Sequence, residues 1–171
     1  DVLNLSRIEA GRVDYVVETI VLSEVVKSVT PLVEPQIASK SLRFEVSVAD
    51  DLRVQADRDK VQQILINLLT NALKFTASGG SICVEADRES ESRMALRVID
   101  TGAGIPPDML EKVFEPFIQV DASRSRATEG TGLGLAISRD LARGMGGALV
   151  ARSELGKGST FELILGVPRA G

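Results

Sequence analysis

The chain has 171 residues, a net charge of −4, 26% charged residues and 44% hydrophobic ones. Those proportions suit one globular domain with a sizeable core and exclude extensive disorder. No basic cluster and no apolar run of bilayer-spanning length occurs, so neither nucleic acid nor direct membrane insertion is expected. Histidine is absent, which excludes a histidine triad, a histidine general base and a histidine-ligated metal. The single cysteine, Cys83, reads as a small buried strand residue; alone, it cannot build a thiolate zinc site. Any chemistry must come from carboxylates, amides, hydroxyls, lysines and the backbone.

Residues 1–10 read as the last turns of a helix, with Val2, Leu5, Ile8 and Glu9 on neighbouring faces and Gly11 as its stop. Without a cap signal at its start, the segment is expected to be the end of a longer helix from another domain. Tyr15 to Ile20 is rich in β-formers and predicts an edge strand. Leu22, Val25, Val26, Val29, Leu32, Val33 and Ile37 then recur at helical spacing, with Ser23 as N-cap and a bend near Pro31 and Pro35. Arg43–Val48 and Val54–Ala56, separated by the Asp50-Asp51 turn, predict a small hairpin.

Asp57 caps the strongest helix, whose apolar face is Val61, Ile64, Leu65, Leu68, Leu69, Ala72 and Leu73. On its flank lie Gln63, Asn67, Asn71 and Lys74, the last three sharing one side through spacings of four and three. A solvated polar stripe is one reading. Yet asparagine is a mediocre helix former, amide oxygens can coordinate a hard cation, and a lysine can meet phosphate. Strands over Ser81–Asp87 and Met94–Asp100 follow, the second ending in Asp100-Thr101-Gly102-Ala103-Gly104-Ile105. That puts a carboxylate at the rim of a sheet, where it either closes an Asx turn or accepts from an exocyclic amine.

Pro107 to Val113 predicts a short helix, and Phe114-Glu115-Pro116-Phe117 holds two of the five phenylalanines. From Ile118 to Glu129 no periodicity survives, which reads as a functional loop or a disordered one. Glu129-Gly130-Thr131-Gly132-Leu133-Gly134-Leu135 then feeds a helix running to about Arg143. A glycine run opening onto a helix N-terminus offers free N–H groups to an anion such as phosphate. Strands over Ala148–Ser153 and Ser159–Leu165 close the chain around a hairpin-like Glu154–Gly158.

An asparagine-rich helix, an Asp-x-Gly-x-Gly strand end, a Phe-x-x-Phe pair and Gly-Thr-Gly-Leu-Gly-Leu, in this order, resemble the motif boxes of sensor histidine kinases. The resemblance, to their catalytic ATP-binding domain, covers about Tyr15 to Val167. Gly156-Lys157-Gly158-Ser159-Thr160-Phe161 adds a third glycine box, and Leu5 to Gly11 is similar to the end of that family's second dimerisation helix. The chain thus divides into residues 1–11, the end of a dimerisation and phosphoacceptor helix, and 12–171, the catalytic domain. The resemblance implies the Bergerat fold of the gyrase, chaperone and kinase superfamily: an α/β (α+β) two-layer sandwich with a mixed, largely antiparallel sheet on one layer of helices. A Rossmann fold fits poorly, because its glycine motif follows the first strand.

By that resemblance the cofactors are ATP and Mg2+. Asn71 is the expected Mg2+ ligand, Asn67 a second polar contact and Lys74 a phosphate contact, while Phe75 packs near the base or ribose. Asp100 is expected to accept from the adenine amine, with Gly102 and Gly104 admitting the base. Ile105, Phe114 and Phe117 form the apolar floor and lid anchor. Gly130, Thr131, Gly132, Leu133, Gly134 and Leu135 close over the triphosphate as the hinge of a lid, and Thr160 reaches the adenine through water. Superfamily ATPases carry a glutamate where Asn67 stands, and an amide cannot take a proton, so transfer to a protein acceptor is favoured over hydrolysis. Gln119 stands where many of these kinases have an arginine, in a version common among hybrid kinases, which leaves Arg124 or Arg126 as γ-phosphate contacts. The implied partners are the dimerisation domain carrying the phosphoacceptor histidine and the receiver domain of a response regulator, in the cytosol.

Overall fold

A computed structural model describes residues 2–119 and 132–169. Four helices are present among them: α1 (Val2–Glu9), α2 (Leu22–Ser39), α3 (Arg58–Phe75) and α4 (Gly134–Gly144). The strands are β1 (Glu18–Val21), β2 (Arg43–Ser47), β3 (Arg53–Ala56), β4 (Ser81–Arg88), β5 (Arg93–Asp100), β6 (Ala148–Glu154) and β7 (Gly158–Gly166). They form one sheet in the order β1-β3-β7-β5-β4-β2, with β6 also paired to β7. All pairings are antiparallel except β2 with β4.

Alternation along the strands decides which residues meet the helices. Ile82 and Val84 of β4, Met94, Leu96 and Val98 of β5, and Phe161, Leu163 and Leu165 of β7 are all buried. The registers Val84↔Val98 and Val98↔Phe161 set them side by side on one face. Against that face packs α3, whose Val61, Ile64, Leu65, Leu68 and Leu69 are almost fully buried, with α2 and α4 beside it. Truncating one of these leucines to alanine typically costs about 2–5 kcal/mol. The other face is polar: Arg97 bonds Glu162 at 2.6 Å and Asp87 at 2.9 Å. This is the two-layer sandwich expected, with one layer of helices.

Several local expectations need correction. Arg43–Ser47 and Arg53–Ala56 are strands but not a hairpin. β2 runs parallel to β4 at one edge of the sheet, whereas β3 pairs with β1 towards the other. The loop between them ends on Leu52, whose carbonyl accepts the Leu22 N–H at 3.0 Å and ties β3 to the β1–α2 junction. α2 starts directly after β1 with Val21 at its N-cap; Ser23 lies inside it, buried, and the helix continues through Pro31 and Pro35. The N-terminal strand begins at Glu18 rather than Tyr15. Pro107 to Val113 forms two short 3-10 turns, Pro107–Met109 and Lys112–Phe114, instead of one helix. Cys83 is only half-buried, because its position in β4 faces the polar side. Asp57 does cap α3: its carboxylate accepts from Asp59 N–H at 3.0 Å and Lys60 N–H at 3.3 Å.

Candidate functional site

The C-terminal half of α3 presents Asn67, Asn71 and Lys74 along one flank, all half-buried. The Asn67 amide nitrogen donates to Ser138 Oγ at 3.0 Å and to the Gly134 carbonyl at 3.4 Å, fastening α3 to the first turn of α4. A glutamate would set carboxylate oxygens against that carbonyl, so the amide suits this contact as a donor. Asn71, one turn on, makes no side-chain hydrogen bond among the described residues and its amide is available to a ligand. Lys74 forms no ion pair among the described residues; its ammonium lies 5.4 Å from the ring centroid of Phe75, which is 36% exposed.

Facing the end of α3 is the end of β5. Asp100 is 7% exposed, and its Oδ1 accepts the Gly102 N–H at 2.8 Å. The Ser159 N–H also bonds this carboxylate, and no described cation pairs with it. Burial raises its pKa above the usual 3.8, and the two N–H donors oppose that rise only partly. The following loop is wedged between α3 and the β6–β7 hairpin. A Cβ on Gly102 would sit 2.6 Å from the Phe75 carbonyl oxygen, and one on Gly104, which has φ +76°, would sit 2.3 Å from the Glu154 carbonyl oxygen. Both positions therefore require glycine. Ile105, buried at the loop's end, donates its N–H to Ser153 Oγ at 2.7 Å.

Phe114 is buried edge-on to Phe161, with ring centroids 6.2 Å apart, and the Arg139 guanidinium stacks over it at 4.3 Å. Phe117 does not join this floor. It is 62% exposed at φ +66°, and its N–H donates to the Gly132 carbonyl at 3.0 Å. That bond joins the two chain ends on either side of residues 120–131. Leu133 is fully buried, Leu135 half-buried, and no side chain caps the start of α4 at Leu133 and Gly134. The first N–H groups of α4 thus lie beside Asn67. Arg124, Arg126, Gly130 and Thr131, and the expectation of a lid over Ile118–Glu129, lie at least partly outside the described residues.

Thr160 is not brought to the site. It pairs with Ile99, on the sheet face opposite Asp100. Its neighbour Ser159 pairs with Asp100 and is buried on the helix side, hydroxyl 2.9 Å from that of Ser153. Sequence reasoning missed both Ser153 and Ser159, and a signal existed only for Ser159. Phe161, Leu163 and Leu165 alternate as the apolar set of β7, and Ser159 continues it.

A buried carboxylate without a cationic partner at a sheet rim, beside an amide flank and an uncapped helix start, is an arrangement that can meet an amine and an anion together. Residues 56–169 match the family of histidine kinase-, DNA gyrase B- and HSP90-like ATPases, and the chain belongs to that family, with sensor histidine kinases as its relatives. It is 36% identical to the sensory/regulatory protein RpfC of Xanthomonas campestris pv. campestris, over 94% of this chain and 23% of the relative. Full-length ShkA in complex with AMPPNP superposes with a TM-score of 0.86 at 31% identity, over 99% of this chain and 35% of that one. Histidine kinase ThkA in complex with the response regulator TrrA gives 0.75 at 25% identity, over 97% and 47%. The chain thus corresponds to a minor part of the length of RpfC and ShkA. No helix among the described residues is long and apolar enough to cross a membrane.

Proposed function

We propose that this chain is the ATP-binding catalytic part of a two-component sensor histidine kinase, holding Mg-ATP and presenting its γ-phosphoryl to a histidine on a dimerisation domain. The observation that carries the reading is Asp100: a buried carboxylate without a cationic partner at the start of the Gly102–Gly104 loop, where an amine would complete it. The similar ShkA, whose structure is a complex with AMPPNP, supports nucleotide binding.

Asp100 accepts from the adenine amine, Ile105 supports the face of the base, and Phe75 covers it from the α3 side. The uncapped start of α4 and Lys74 meet the phosphates, where Lys74 swings from Phe75 to the anion. Among the described residues no group of three histidine, cysteine, aspartate or glutamate side chains is arranged to cage a metal. The Asn71 amide oxygen would hold a Mg2+ ion brought in with the phosphates, since that cation keeps much of its shell in water and phosphate. Bound there, the ion would supply charge neutralisation for phosphoryl transfer. Catalysis otherwise rests on orientation.

Asn67 cannot act as a base toward water, and its donor already holds α4. With no histidine in the chain, the phosphoryl acceptor belongs to the dimerisation domain, of which α1 forms the last turns. Leu5 of α1 is buried where it packs against α4. A response-regulator receiver domain then takes the phosphoryl, as the ThkA–TrrA complex supports. Mixing this chain with a separately folded dimerisation domain and γ-labelled ATP should move label onto the histidine. Absence of transfer with every acceptor tried, while ATP still binds, would overturn the kinase assignment.

A further inference from the structure

Ser153, near the end of β6, sits behind the candidate base pocket, and the hydrogen-bond arithmetic at its hydroxyl fixes a direction that the distances alone do not state. Three partners surround Ser153 Oγ: the Ile105 N–H at 2.7 Å, the Gly158 carbonyl at 2.8 Å and Ser159 Oγ at 2.9 Å. A serine hydroxyl has one hydrogen and two lone pairs. The Ile105 N–H can only donate and the Gly158 carbonyl can only accept, so the single Ser153 hydrogen goes to Gly158. Were it turned elsewhere, two lone-pair oxygens would face each other at 2.8 Å. The contact with Ser159 therefore needs the Ser159 hydrogen. That leaves Ser159 Oγ with lone pairs only, on the same sheet face as Asp100, its partner across the β5–β7 ladder.

We infer that Ser153 is a positioning residue of the base pocket: by taking the Ser159 hydrogen it makes Ser159 an acceptor beside Asp100, so the pocket favours a purine with a 6-amino group over one with a 6-oxo group. The inference rests on the proposed adenine-nucleotide site. An exocyclic amine brings two hydrogens to two acceptors. A 6-oxo group brings a third lone-pair oxygen to a place with no donor turned its way. Removing Ser153 frees the Ser159 hydroxyl to rotate and donate, which gives the 6-oxo purine a partner. It also unties Ile105 from the hairpin, since one oxygen joins the Asp100–Ile105 loop to both β6 and β7.

The test is calorimetric titration of the full chain and its variants with ADP and with inosine diphosphate. The wild type is expected to prefer ADP. Ser153→Ala should lower the ratio of ADP to inosine diphosphate affinity about tenfold, the usual worth of one neutral hydrogen bond turned from acceptor to donor. Ser153→Thr keeps the hydroxyl and should hold the ratio within about twofold. Because Ser153 acts through Ser159, the Ser153→Ala, Ser159→Ala double variant should discriminate no worse than Ser159→Ala alone, whereas a purely structural role would add its own loss. If the wild type binds neither nucleotide, the site reading itself fails. If it prefers ADP and Ser153→Ala keeps that preference unchanged, this inference alone is overturned. Should Ser153→Ala not fold by circular dichroism, the other single variants decide: a ratio lost in Ser159→Ala but kept in Ser153→Thr supports it, and equal ratios in both overturn it.

Discussion

Replacing Asp100 with asparagine keeps the side chain's shape and removes its charge, and it should separate the stability of the apo protein from its affinity for nucleotide. The carboxylate is 7% exposed, accepts N–H groups from Gly102 and Ser159, and has its pKa raised chiefly by burial. For a group whose pKa is raised on folding, the stabilisation it gives is complete below the unfolded value and is lost as pH rises through the folded one. At neutral pH the apo protein therefore carries the cost of a buried, unpartnered charge. Asparagine relieves that cost and weakens two charge-assisted hydrogen bonds to neutral ones, a loss of about 1 kcal/mol each at most. The two effects oppose each other, so the apo variant should unfold within about 1 kcal/mol of wild type. The nucleotide is affected differently. The asparagine oxygen stays with the Gly102 N–H, and the amide nitrogen then faces the adenine amine, donor against donor. A polar pair left unmade in a buried site costs about 1–3 kcal/mol, which weakens ADP binding roughly tenfold to a hundredfold. Isothermal titration with ADP beside urea unfolding reads both quantities. Wild-type ADP affinity should also fall as pH drops from 7 through the raised Asp100 pKa, at a pH above 3.8, and this dependence should vanish in the variant. A folded Asp100→Asn protein that binds ADP within about twofold of wild type would refute the reasoning.

Two further substitutions test the frame around that carboxylate. Gly104→Ala forces a side chain into left-handed backbone, which costs about 1–2 kcal/mol, and drives its Cβ to 2.3 Å from the Glu154 carbonyl oxygen. Stability should fall by more than the backbone term alone in urea unfolding, with ADP affinity reduced; a variant as stable as wild type would contradict the close approach. Asn67→Ala removes the donor shared by Gly134 and the fully buried Ser138. It should lower unfolding free energy by about 1–3 kcal/mol and speed hydrogen exchange in the first turn of α4; exchange unchanged there would show that the bonds do not hold that turn.

What the sequence made legible follows from where the deciding interactions lie along the chain. α3 was readable because its cap, Asp57, and its apolar face are local and periodic, and β4 and β5 because each buries alternate residues across a short turn. The pairing of β2 with β4 and of β3 with β1 was not, since it depends on partners far away in sequence that alternation cannot name. The sheet rim was legible at Asp100, where two glycines mark a turning backbone. It failed at Thr160, where choosing the neighbouring hydroxyl means missing the face by one residue and so by the whole thickness of the sheet. Phe117 was expected in the apolar floor from the family resemblance; the turn closed by the Gly132 carbonyl gives it φ +66° and leaves it 62% exposed. Ser153 carries no motif signal, because its role comes from three partners that meet only in the folded hairpin.

Every proposal above depends on nucleotide binding between α3, the Asp100–Ile105 loop and the start of α4. Amide chemical-shift mapping of the uniformly labelled chain, titrated with Mg-ADP, tests it most directly. The prediction is saturable shifts at Gly102, Gly104, Ile105 and Ser159 together with the Asn71 side-chain amide, while Glu85, Arg97 and Glu162 on the opposite sheet face stay still. Shifts centred on that opposite face, or none at saturating nucleotide, would contradict it.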